Sequence, residues 1–355
     1  MVRHPTAVIP LKVSLARFGW RTAVLVIPAI ILGAVSASTS LPDIKSIPAL
    51  KLDPVLDLSD HPEAGLPWIG RISLNGEFVF YDAKLRRVMV MPLSGRGGRI
   101  IGAYGEGPGE YQSVLDLRLE ENGILILDAR GRLLEYGWDG RLRRDNKLPR
   151  PYEKILGRSR GFTYFVARSI SAESYSDKAI VRWREGEDPA SLYRRSADVL
   201  LTKASSLDGK EMAGGMMTLS EPAFALLEDG FAASAGSRYR IQVLDMAGKD
   251  RAEWDIKAPS PEFYGRMFGA FKDTRSAFAI RDIFAFPGFV AVIGNFFLEG
   301  KPRLDVFSRD GNRTSSWLIP LTCEAPYSRC QLDTGYLIHF SSDEGTRIFR
   351  VLSLL

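Results

Sequence analysis

Residues 113–119, SVLDLRL, alternate apolar and polar side chains with a period of two, the pattern of a half-buried β-strand. Glu121-Asn122-Gly123 then turns the chain, and 124–127, ILIL, is a continuous apolar run that suits a strand covered on both faces. A second turn leads to a third strand over 132–136, RLLEY, and a third turn to a polar strand beginning at Leu142. That is a four-stranded antiparallel meander in about 35 residues, within the period range of propeller and solenoid repeats. The same punctuation recurs. Turns ending in Gly76, Gly123, Gly161, Gly230, Gly288 and Gly335 each precede an apolar run: EFVFYD, ILILD, FTYFVA, FAASA, FVAVIG and YLIHF. Six such units predict an all-β chain and a six-bladed β-propeller of four-stranded antiparallel blades.

The sixth unit has only two convincing strands after Gln331, over 336–340 and 347–352. Residues 49–58, ALKLDPVLDL, are a suitable strand to complete it from the N-terminal side, leaving no open edge. Pro54 fits an outer strand, which does not need its missing N–H. Two insertions lengthen the repeat. Residues 196–221 read as a loop. Residues 261–275 read as an inserted helix, with Ser260 placed to cap it, Pro261 at its first position, and Phe263, Met267, Phe268 and Phe271 on one stripe.

The N-terminus changes the charge argument. Arg3, Lys12, Arg17 and Arg21 precede an apolar stretch over 22–35, and Val35-Ser36-Ala37 offers the small residues of an export cleavage site. The stretch is shorter than the roughly 20 residues of a membrane span. The expectation is a signal peptide over 1–37, a single propeller domain over 38–355, a periplasmic or secreted location and no stable membrane span after cleavage. The whole chain has 47 basic and 42 acidic residues. Removing the four basic residues of 1–37 leaves 43 against 42, so the net charge falls from +5 to +1 and gives no warrant for nucleic-acid binding. Cys323 and Cys330 are the only cysteines. In an exported chain the expectation is a disulfide between them, and a metal pair is the alternative.

The most specific motif is 100–111, IIGAYGEGPGEY, between the first and second units. With the Asn-Gly turn and ILILD behind it, this stretch resembles the six-bladed β-propellers of exported bacterial proteins related to NHL repeats. The match is good over 68–148 and rests on the repeat pattern elsewhere. The resemblance implies a six-bladed ring and export. It implies no activity, because propellers carry unrelated functions.

Candidate chemistry is sparse. The glycine-rich motif lacks the Lys-Ser/Thr of a phosphate loop and is followed by a strand. Tyr104, Glu106, Glu110 and Tyr111 within it are candidate ligand-binding residues. The plainer reading of the two glutamates is capping or solvated carboxylates at a blade junction. His61 and His339 are the only histidines beyond residue 37, too few for a three-histidine zinc site. A divalent cation such as Ca or Mg could be held instead by Glu110, Asp116, Asp282 and Asn295. Asp128 is expected to cap the turn that follows it. Trp138, Trp183, Trp254 and Trp317 are expected to pack between blades.

The function these features favour is non-catalytic binding of a small molecule, glycan, peptide or envelope partner at one face near the central channel, by a monomer without a cofactor. The alternative is a metal-dependent hydrolase or lactonase with an axial, carboxylate-bound cation.

Overall fold

The computed structural model describes residues 47–352 except 172–173, 197, 202–203, 206–210, 213–215, 221, 235–239, 256–279, 299–300, 322–327 and 342–344. Six four-stranded antiparallel sheets follow one another along the chain. Blade 1 comprises Pro67–Ile72, Glu77–Asp82, Arg87–Pro92 and Arg99–Ile101. Blade 2 comprises Val114–Glu120, Gly123–Asp128, Arg132–Gly137 and Leu142–Lys147. Blade 3 comprises Lys154–Ser159, Phe162–Ser171, Ser174–Trp183 and Ala190–Arg195, and blade 4 Phe224–Leu226, Gly230–Ser234, Arg240–Asp245 and Asp250–Asp255. Blade 5 comprises Ile280–Phe286, Phe289–Leu298, Lys301–Ser308 and Arg313–Leu318. Blade 6 takes Ser328–Asp333, Tyr336–Ser341 and Gly345–Val351 from the C-terminal end.

Its fourth strand is Leu52–Asp57, which pairs antiparallel with Gly345–Val351 from Leu52 opposite Val351 to Asp57 opposite Arg347. The expected closure is therefore present, and Pro54 lies on the outermost strand. The segment just before it does more than expected. Leu50 N donates to Leu318 O at 2.8 Å and Leu318 N to Pro48 O at 2.9 Å, tying the same segment to the outer strand of blade 5.

The core is divided among the blade interfaces. Six buried clusters form, one between each pair of consecutive blades and one between blades 6 and 1. The second and third strands together supply most of these side chains, and the second strands are apolar without a break because both their faces are covered: Gly123–Asp128 is buried at every position. Trp183 and Trp254 are buried in two of these clusters, and Trp138 and Trp317 pack against two others.

Three local expectations are corrected or refined. Residues 196–221 do not stay a loop. Asp198–Leu201 pairs with Met216–Ser220, and Ala204–Ser205 with Glu211–Met212, as two short antiparallel ribbons. Asp128 does not cap the turn after it with its side chain. Its Oδ1 accepts from Gln112 N and Ser113 N at 3.2 and 3.1 Å, fastening the chain as it enters blade 2. Gly123 is required for space rather than for a positive φ, since a Cβ there would lie 1.9 Å from Tyr136 O on the neighbouring strand. The helix expected over 261–275 lies outside the described residues.

Candidate functional site

The glycine-rich motif folds at the junction of blades 1 and 2. Ala103–Tyr104 and Glu110–Tyr111 pair as two-residue parallel strands, and the loop between them is held from inside. Glu110 Oε2 accepts from Gly107 N at 2.7 Å, and a Cβ on Gly105 would sit 2.0 Å from that same oxygen. Glycine there is thus what lets the carboxylate fold back under its own loop. Arg132, the first residue of its strand, donates to Glu110 O at 2.9 Å and Gly107 O at 3.2 Å. Its Nε also donates to Asp145 Oδ1 at 3.0 Å, and Gly109 N donates to Asp145 Oδ2 at 3.1 Å. The Arg132 hydrogen bond holds the Asp145 carboxyl below its usual range, with the Gly109 N–H adding to the effect.

Tyr111 is fully buried. Its hydroxyl donates to Ile101 O at 2.8 Å and accepts from Val88 N at 2.6 Å, and burial pushes its pKa up. Glu106 is on the surface, accepting from Gln112 Nε2 at 2.6 Å and lying 3.3 Å from Arg130. Tyr104 accepts from Arg86 Nη1 at 2.8 Å, with that guanidinium 5.0 Å from its ring centroid. None of Tyr104, Glu106, Glu110 and Tyr111 lines the axial cavity. Glu110 caps its own loop, and Glu106 lies on the surface beside Gln112 and Arg130.

The cavity lies on the axis, with a volume of about 450 Å³, and takes residues from the innermost strands of all six blades. Four of those strands are bulged, with the pairing skipping Trp68, Leu115, Leu156 and Arg281. A bulge re-aims the side chains that follow it. Arg71 and Arg118 each stand three residues beyond a skipped position and face the same cavity.

Ten charged side chains stand in its wall. Arg71 Nη2 meets Asp116 Oδ1 at 2.9 Å across blades 1 and 2, and Asp116 Oδ2 accepts from Ile155 N of blade 3 at 2.8 Å. Lys154 Nζ lies 3.4 Å from Asp282 Oδ1, which also accepts from Ile283 N at 3.0 Å. Lys178 Nζ lies 3.3 Å from Glu153 Oε2. Asp333 Oδ2 accepts from Ile72 N at 3.0 Å, and Gln331 Nε2 donates to Gly70 O at 2.7 Å, so blade 6 is stitched to blade 1. Burial raises the pKa of Asp333 and lowers that of Arg281. Arg329 donates to Trp68 O and lies over the Phe340 ring at 4.5 Å. Burial, reinforced by Arg71, pulls its guanidinium down to about 10.

Of the four residues expected as cation ligands, Asp116 and Asp282 reach the cavity, Glu110 does not, and the Asn295 side chain lies outside the described residues. Among the described residues no three His, Cys, Asp or Glu groups stand together as a metal-holding cluster. Asp116 and Asp282 each already face a cation, Arg71 and Lys154 respectively. His339 is buried in blade 6, and His61 Nδ1 lies 3.3 Å from Glu63. Cys330 is buried on the innermost strand of blade 6, while Cys323 lies outside the described residues. Sequence reading missed the axial arginines. Each is one basic residue on the first strand of blade 1, 2, 5 or 6, with apolar neighbours on the same strand.

Known proteins with this architecture agree on the fold. The model of a family described as 6-bladed beta-propeller matches residues 68–198. A protein of Bacteroides fragilis NCTC 9343 described as exported superposes with a TM-score of 0.52 at 13% identity, covering 88% of this chain and 96% of its own. A member of the DUF4221 family from Bacteroides vulgatus ATCC 8482 superposes with a TM-score of 0.53 at 10% identity, covering 86% of this chain and 96% of its own. At such identities the likeness is one of fold. No curated protein matches the chain in sequence.

Proposed function

We propose that this protein is an exported, non-catalytic binding propeller whose ligand is a small molecule held in the axial cavity. The observation that carries this reading is the cavity itself. It is enclosed by all six innermost strands and offers polar groups from several blades around one concavity of about 450 Å³, within the range of small-molecule sites. Export is supported by the charged and apolar pattern of 1–37 and by the likeness to a Bacteroides fragilis protein described as exported. Among the described residues no helix is long and apolar enough to cross a membrane.

The test is a thermal-shift screen of small molecules on the purified protein beside Leu115→Trp, which fills the cavity from its wall. A ligand that stabilises the wild type, fails on Leu115→Trp and is recovered unchanged supports the reading. Ligands that stabilise both proteins equally overturn it. Elemental analysis in the same preparation separates the competing outcome, since one tightly held divalent ion per chain with ester or lactone turnover would make the protein a hydrolase.

A further inference from the structure

The geometry points to an anionic ligand for the axial cavity, its carboxylate or phosphate group held by Arg118 and Arg329 with Arg71 and Arg281 beside them. This inference rests on the cavity being the ligand site. The lining carries six basic side chains, Arg71, Arg118, Lys154, Lys178, Arg281 and Arg329, against four acidic ones, Asp116, Glu153, Asp282 and Asp333. The excess is positive before any ligand enters, and the acids are already engaged. Asp116 serves Arg71 and a backbone N–H, Asp282 serves Lys154 and a backbone N–H, and Glu153 serves Lys178. Asp333 caps Ile72 N, and its burial favours the uncharged form, which widens the excess.

Arg118 has no hydrogen-bond or ion-pair partner among the described residues, although it faces the cavity. Arg329 has a carbonyl and aromatic rings against it, and among the described residues no carboxylate within hydrogen-bonding distance. A guanidinium carries five N–H donors in a planar fork, so the described residues leave most of the donor capacity of both residues unused. Arg71 and Arg281 repel the Arg329 charge, a repulsion that Asp282 and Asp116 offset only in part while also serving Lys154 and Arg71, and like charges in a partly desolvated channel are costly unless a further opposite charge joins them. A carboxylate or phosphate matches the guanidinium fork with two parallel hydrogen bonds. The cavity is larger than an inorganic ion needs. Leu115, 40% exposed, and Phe284 stand in the same wall and give the remainder of the ligand an apolar side to lie against. An acid group on a ring-sized body, such as a sugar acid or sugar phosphate, satisfies both features.

The experiment is calorimetric titration of the purified protein with inorganic phosphate, D-glucuronate and glucose at low salt. It is run on the wild type, Arg118→Gln, Arg329→Gln and the cavity-filling Leu115→Trp, with circular dichroism confirming that each is folded. The expected result is that phosphate or glucuronate binds, that affinity falls at least tenfold in Arg118→Gln and in Leu115→Trp, that added salt weakens it, and that glucose does not bind. Phosphate and glucuronate together separate the two sources of the anion. Failure of both anions to bind the wild type overturns the inference, as does unchanged affinity in both arginine variants. Glucose binding that is lost only in Leu115→Trp would overturn the anion while leaving the cavity as the site. Binding that no variant alters would overturn both.

Discussion

Tyr111 shows how a residue that reads as a ligand contact in a glycine-rich motif can be a structural bolt. Its hydroxyl satisfies both Val88 N and Ile101 O between two paired strands. Tyr111→Phe should therefore lower stability by about 1–2 kcal/mol, because it strands a buried N–H, and urea denaturation measures it. A loss confined to ligand affinity, with stability unchanged, would contradict that role. Asp145 offers a pH test. Its folded pKa is depressed by Arg132, so its contribution is fully present above the ordinary carboxyl value and disappears as pH falls through the folded value. Asp145→Asn should cost about 1 kcal/mol at neutral pH and flatten the loss of stability below about pH 4, as followed by thermal melts across pH. The residue types at 104–111 were legible, and so was a capping carboxylate among them, the role Glu110 takes. Which of these side chains turn inward was not, because that depends on Arg132 and Asp145 reaching across from other strands of blade 2.

At the scale of elements, the closing strand carries the clearest consequence. Leu56 is buried between blades 6 and 1, and Leu50 between blades 5 and 6. Leu56→Ala should destabilise by about 2–3 kcal/mol. Deleting 49–58 should do more, since it opens the ring and removes the Leu50 N–H bond to Leu318 as well. An unchanged melting temperature in the deletion would sink the closure. This strand could be anticipated because a blade short of one strand needs an edge partner and the alternating pattern of 49–58 supplies it. The ribbons formed by Asp198–Leu201, Ala204–Ser205, Glu211–Met212 and Met216–Ser220 could not. Two- to five-residue strands carry too little periodicity to stand out beside neighbouring glycines.

For the molecule as a whole, six interfaces share the core, so no single blade has a private one. Unfolding should accordingly be cooperative across the ring. The proposed export would set the state of the cysteines. Mass spectrometry of protein recovered from the envelope should find a chain beginning at Ser38 with Cys323 and Cys330 joined. Reduction should then lower stability by about 2–3 kcal/mol, and two free thiols in the exported protein would refute the pairing.

The period of glycine turns and apolar runs determined six blades, their order and their antiparallel pairing, because strand formation and burial on two faces are local properties written in alternation and composition. The missing strand of the last unit determined the closure for the same reason. The axial cavity belongs to the tertiary structure. Arg71, Arg118, Arg281 and Arg329 lie up to 258 residues apart in sequence and become neighbours only when the ring closes and the bulges turn each strand's side chains toward one axis. Charge convergence of that kind has no periodic trace in a sequence, since each arginine by itself is one polar residue on one strand.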